Sequence, residues 1–171
     1  MRRHDPHGAT TIVAGERRNA LIYLWLTGLV IVLDQLTKAA IERSLALYQS
    51  FVLLPVFEIT RLHNHGAAFS FLAGATGWQR WLFSTLAVVV SAALVLWLRR
   101  IDSEARMLAS AVALILGGAL GNVIDRLRLG YVIDFITVHW RDHYFPSFNV
   151  ADSAITIGAG LLLLDAWLEA R

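Results

Sequence analysis

Five ionisable residues of this chain stand among neighbours that favour oil over water: Asp34, Lys38, Asp125, Asp134 and Asp152. Asp152 leads into residues 153–164, where nothing is charged. A carboxylate beside such a run costs several kcal/mol unless it is paired, hydrated or protonated. Asp134 is enclosed by Val132-Ile133 and Phe135-Ile136, neighbours that a solvated loop acid does not need. Asp125 is followed by Arg126, and Lys38 follows Asp34 at i+4, on the same face of a helix. Two carboxylates close enough to share one proton form an acid/base pair, because like-charge repulsion keeps one neutral while the other is ionised. The ionised member can take a proton from a water that attacks a carbonyl, and the neutral member can protonate the carbonyl oxygen. Such a pair cleaves an amide without metal, serine or cysteine. Residue types and spacing leave open which two aspartates pair.

Each charge also has a plainer reading. Asp34 and Lys38 could be an intrahelical pair at a span end, and Asp125-Arg126 an interfacial stop. Asp152 could cap a helix, since Asp is a favoured N-cap and an anion suits the N-terminal dipole. Convergence of all of them on one side favours a shared polar site, and ionisable groups inside membrane segments are functional by default. Competing chemistries are thinner. His63-Asn64-His65 invites a metal or nuclease reading, but the adjacency of those residues is not by itself a motif, so no metal site is expected. A serine–lysine hydrolase would need Lys38, the only lysine, beside a serine such as Ser70 or Ser153, and the spacing offers no support. The run Gly117–Asn122 follows no strand and lacks the lysine of a phosphate loop; Gly117, Gly118 and Gly121 suit a helix–helix contact instead.

The elements that must position these groups follow from composition. Of 171 residues, 57% are hydrophobic and only 16% charged, against roughly a quarter charged in soluble domains. There is no cysteine, which excludes disulfides and thiol chemistry. The pI near 9.4 does not imply nucleic acid, because the basic residues form no long stripe. A bilayer core needs about 20 apolar helical residues, and spans are expected at about 20–41, 81–98, 107–125 and 150–167. The first is too long for the core of a cleaved leader and is expected to be retained. Trp78, Trp81, Trp97 and Trp167 sit at span ends, as interfacial aromatics do.

Arg2, Arg3, Arg17 and Arg18 precede the first span, and Arg99, Arg100 and Arg106 lie between the second and third. The positive-inside rule therefore expects both termini to be cytoplasmic, with 1–19 a cytoplasmic basic tail and 20–168 a single membrane domain. Residues 42–80 and 126–149 then face the other side. Within them 51–63 and 131–140 are rich in aromatic and β-branched residues, which favours strands. The expected fold is a membrane all-α bundle of four transmembrane helices with a small periplasmic β-rich cap. Asp34 lies about 21 Å along the first span at 1.5 Å per residue, so Asp34, Asp125, Asp134 and Asp152 all gather toward the outer leaflet.

Together, "DQLTK" (34–38), "NHGAAFS" (64–70), "GGALGNVIDR" (117–126), "GYVIDF" (130–135) and "FPSFNVADSAI" (145–155) resemble lipoprotein signal peptidase (signal peptidase II) of bacterial inner membranes. Any one block is weak, but five in the family's order are highly specific, and they extend over about residues 20–167. The resemblance implies an aspartyl endopeptidase that removes the signal peptide from diacylglyceryl-modified prolipoproteins, cutting before the lipidated cysteine. It implies that Asp134 and Asp152 are the catalytic pair and that Asp125 is a supporting residue. Asn64, Gly66, Asn122, Arg126 and Asn149 match positions that line or brace the site, with Asn149 a donor to the water or the tetrahedral intermediate, and Asp34 and Lys38 match a motif that holds the bundle near it. A clamp on the peptide by 51–75, with Trp140 and Phe145 opposite, is expected. The implied partners are lipid-modified signal peptides and membrane lipids, with no cofactor, no nucleic acid and a monomeric state. The location is the bacterial inner membrane, multi-pass, with the site toward the periplasm.

Two readings compete with the enzyme. A carrier coupling protons or cations to transport usually shows repeated halves and charge near the midplane; here no repeat is present and the charge lies toward one face. An outward-facing assembly factor would tolerate asparagine at its aspartates.

Overall fold

In the computed structural model, which describes residues 19–66 and 77–171, each long apolar run of the sequence is a helix. A single 3-10 turn, Ala20–Tyr23, leads into α1, Leu24–Ser44. Helix α2 runs Trp78–Leu98, starting earlier than the charge-free run alone would suggest, after Gly77 in the left-handed region. Helix α3 is Arg106–Arg128 and α4 is Val150–Glu169. Helices of 20–23 residues are about 30–35 Å long, the thickness of a bilayer's hydrocarbon core. All four are long and apolar enough to cross a membrane.

Helix α3 is the central one. It packs against each of the other three, and 56% of its apolar window is buried, against 17–22% for the others. Small residues permit the close approach. A Cβ on Gly118 would land on the carbonyl oxygen of Ala151 in α4, and one on Gly121 would come within 2.8 Å of Asp34 Oδ2 in α1. The outward faces carry large apolar side chains such as Trp25, Leu86, Val89 and Leu163. Lipid covers such faces at no cost, whereas water would not.

A four-stranded antiparallel sheet of order β1-β2-β3-β4 is inserted between the helices. It comprises β1 (Ser50–Leu54), β2 (Phe57–Asn64), β3 (Val132–Trp140) and β4 (His143–Tyr144). Strand β1 follows α1, and β3 and β4 fill the connection from α3 to α4. The register of β2 on β3 sets Leu62 opposite Asp134 and Glu58 opposite Thr137, with a bulge between Ile59 and Leu62. A bridge between Ile136 and Phe148 draws the last residues before α4 alongside β3. Both Phe135 N–H and Ile136 N–H donate to the Phe148 carbonyl. That bridge brings Asn149, the first turn of α4 and Asp134 into one place.

Candidate active site

Two sets of buried carboxylates meet where the bundle joins the sheet. The first is centred on Lys38. Its Nζ lies 2.8 Å from Asp34 Oδ2 and 2.8 Å from Asp125 Oδ2, and donates to Asn122 Oδ1 at 3.0 Å. The three charged side chains are 2%, 0% and 3% exposed, in the order Lys38, Asp34, Asp125, so burial is tolerated only because charge is matched and lone pairs are filled. Gln35 completes the filling: its amide donates to Asp125 Oδ1 at 2.9 Å and to Asp34 Oδ2 at 3.2 Å. Both carboxylates also hold backbone. Asp34 Oδ1 accepts from Ala151 N–H at 2.9 Å, and Asp125 Oδ2 accepts from Ile133 N–H at 3.2 Å. Ala151 and Ile133 immediately precede Asp152 and Asp134. One ionic centre therefore fixes the backbone in front of both other aspartates.

The second set is Asp134 and Asp152, and neither forms an ion pair among the described residues. Their partners are amides. Asp134 Oδ1 accepts from Asn149 Nδ2 at 2.7 Å and Oδ2 from Asn64 Nδ2 at 3.0 Å. Asp152 Oδ1 accepts from Asn122 Nδ2 at 2.7 Å. The N-cap of α4 is Asn149 rather than Asp152: Asn149 Oδ1 accepts from Asp152 N–H at 2.9 Å, and Asp152 Oδ2 accepts from Asn149 N–H at 3.3 Å, closing a capping box. Asp152 is thereby fixed in the first turn, where the helix dipole favours an anion. Asn149 is fully buried and touches both acids. Burial, and then the charge of Asp152, push the Asp134 carboxyl up from 3.8 to about 7, against the opposing pull of the Asn64 amide, Lys38 and the Asn149 amide.

Both acids line one cavity of about 1130 Å³. Asn64, Asn122, Arg126 and Phe145 share its wall. Arg126 donates to the Gly66 carbonyl at 3.2 Å and lies over the Phe83 ring at 5.6 Å. Gly66 N–H in turn donates to Asn64 Oδ1 at 3.0 Å, so Arg126 and Asn64 together hold the end of β2. All ten residues singled out in the sequence fall within this connected network.

Some expectations meet a different geometry. His63, in β2, and His65, just past its end, share one partner, as i and i+2 positions on one face can. His63 stacks on Tyr131 at 3.8 Å and His65 meets the same ring edge-on at 5.5 Å. Burial, with Arg61 and His65 nearby, pushes the His63 imidazole below its usual range. Trp140 is 67% exposed and stands outside the cavity wall, while Phe145 is part of it. The basic residues of 1–18, Ser70 and the 67–75 part of the expected clamp lie outside the described residues. Sequence reasoning missed Gln35, which is neither charged nor apolar; its place between Asp34 and Lys38 in one helical turn was the available signal. It also missed β4, a strand of two residues.

A family model described as Signal peptidase (SPase) II matches residues 26–168. The chain belongs to the signal peptidase II family. It is 57% identical over 152 residues to a lipoprotein signal peptidase of Pseudomonas aeruginosa (strain UCBPP-PA14), covering 88% of this chain and 90% of that one. It is 56% identical over 154 residues to a lipoprotein signal peptidase of Pseudomonas putida, covering 89% and 90%. A solved structure titled as a bacterial membrane enzyme superposes with a TM-score of 0.79 at 31% identity, over 88% of this chain and 90% of that one. The family is one of membrane peptidases, and with four helices able to span a bilayer this member is a multi-pass protein of the inner membrane.

Proposed function

We propose that the chain is an aspartyl endopeptidase that removes the signal peptide from diacylglyceryl-modified prolipoproteins, cutting just before the lipidated cysteine with water activated by Asp134 and Asp152. The observation that carries this reading is the pairing of two amide-held carboxylates in one cavity, one of them retaining its proton to about pH 7. Asp134 supplies the acid and Asp152 the base. Asp152 takes a proton from water as the water oxygen attacks the scissile carbonyl, and Asp134 passes its proton to the carbonyl oxygen. Collapse of the resulting diol breaks the C–N bond. The proton on Asp152 goes to the departing cysteine nitrogen, and a diol hydroxyl proton returns to Asp134. The products are a new carboxyl on the signal peptide and a free amine on the lipidated cysteine.

The fixed amides of Asn122, Asn149 and Asn64 hold both carboxyl planes before substrate arrives, which lowers the cost of reorganisation in the transition state. Asp34, Lys38 and Asp125 act through the backbone that they anchor, with Gly66 and Arg126 bracing the rim. Residues 20–168 form one membrane domain. Its termini are cytoplasmic and its sheet and dyad face the periplasm, since Arg99, Arg100 and Arg106 cluster at the opposite end of the bundle. The protein acts as a monomer among membrane lipids.

Purified protein given a lipid-modified precursor, with a chelator present, is expected to release the signal peptide and leave the cysteine at the new N-terminus, as read by mass spectrometry. Cleavage at another bond, or dependence on added metal, would contradict the proposal.

A further inference from the structure

The cavity reaches from α4, which contributes Ser153, Ile155, Thr156 and Ile157 beside Asp152, to the sheet, where Glu58 is the acidic residue of the wall besides the dyad. Strand register gives the span between the ends. Leu62 opposes Asp134 and Glu58 opposes Thr137, so Glu58 stands about 10–13 Å along the sheet from the dyad at about 3.3 Å per residue. Glu58 is half-buried in the cavity wall. Its cross-strand neighbours, Val52 and Thr137, are uncharged, and it forms no ion pair among the described residues. The nearby Arg61 on the same strand is committed elsewhere, to Glu42 at 3.0 Å. A carboxylate partly withdrawn from water with no cation beside it favours a ligand that brings one.

We propose that Glu58 is a specificity residue that pairs with a basic side chain of the substrate about three or four residues to the carboxyl side of the cleaved bond. The proposal rests on the cleavage reading above. A signal-peptide helix lies in the bilayer and enters along the membrane-spanning α4 end. The chain beyond the bond leaves along the sheet, where an extended segment gains about 3.3 Å per residue and reaches Glu58 after that many steps. The acid thus reads the mature portion of the precursor and takes no part in bond cleavage.

The test uses two lipid-modified peptides that differ only in Lys or Glu at the fourth residue after the bond, with a second pair varied at the third. At one of these positions the parent protein is expected to favour Lys over Glu by about three- to fivefold in kcat/KM, the range of a solvent-accessible ion pair. High salt should narrow that ratio. In Glu58→Gln the ratio should approach one, and in Glu58→Lys it should invert, an inversion that a merely structural role does not produce. A ratio unchanged across the three proteins at both positions would overturn the proposal. The same ratios, read as Kd with Asp134→Asn as the host, separate this contact from the chemistry. Charge-dependent binding without turnover by the parent would uphold the Glu58 contact and contradict the dyad. Turnover of all peptides without charge preference would overturn Glu58 alone.

Discussion

Asp34 and Asp125 differ from Asp134 and Asp152 in their partners, not in their residue type. The first two face a lysine at 2.8 Å and are sealed from solvent. The second two face asparagine amides and open to a cavity. A carboxylate beside a buried cation has its charge fixed, and its removal leaves that cation uncompensated. A carboxylate held by neutral donors keeps the option of a proton. Adjacent elements of one chain therefore make the same side chain a fastener in one set and, in the proposed function, a reagent in the other. The two sets are joined through backbone, at Ala151–Asp152 and Ile133–Asp134.

Breaking the reagent set should have the largest effect. Asp134→Asn or Asp152→Asn is expected to lower turnover by about 10²–10⁴-fold, the contribution of general acid–base groups, in protein that unfolds at or above the parent temperature. Breaking the fastener set should act on the fold. Lys38→Met leaves Asp34 and Asp125 buried without a cation, and a loss of about 3–5 kcal/mol is expected, measured as a lowered unfolding temperature in detergent.

A third experiment sharpens the contrast through pH. With its carboxyl raised from 3.8 to about 7, Asp134 binds a proton more tightly folded than unfolded. Its contribution to stability is thus full below pH 3.8 and is lost as pH rises through about 7. Asp134→Asn should remove that slope, while Asp34→Asn should leave it. Turnover by the parent should fall about tenfold per pH unit above the upper limb as the pair loses its shared proton. The smallest effect is expected from Gly121→Ala, whose Cβ would crowd Asp34 Oδ2 at 2.8 Å and Ala151 Cβ at 3.3 Å. Overpacking of that kind costs about 1–3 kcal/mol, and thermal unfolding should register it before kcat does.

The four helices were legible in the sequence because a spanning helix must be a continuous apolar run. The strands at 51–63 and 131–140 showed through their β-branched and aromatic residues, while β4 was too short to leave a pattern. Gathering of the aspartates was legible from span ends alone. Their division into two sets was not, because it depends on contacts such as Asp34 to Ala151, 117 residues apart. Residue types and spacing left open which two aspartates pair, although the apolar neighbours of Asp134 already set it apart. The resemblance implies Asp134 and Asp152, and Asp125 stands 2.8 Å from Lys38. Asn149 as the cap in place of Asp152 was also hidden, since both residue types cap helices well.

The most direct measurement compares Asp34→Asn, Asp125→Asn, Asp134→Asn and Asp152→Asn side by side, recording kcat on a lipid-modified precursor and unfolding temperature for each sample. The expected result is two separate groups. Asp134 and Asp152 variants lose turnover by about 100-fold or more with stability intact, whereas Asp34 and Asp125 variants lose stability and their folded fraction stays within about tenfold of the parent. Substantial turnover by either Asp134→Asn or Asp152→Asn, or four variants that lose turnover alike with stability unchanged, would contradict the division of roles.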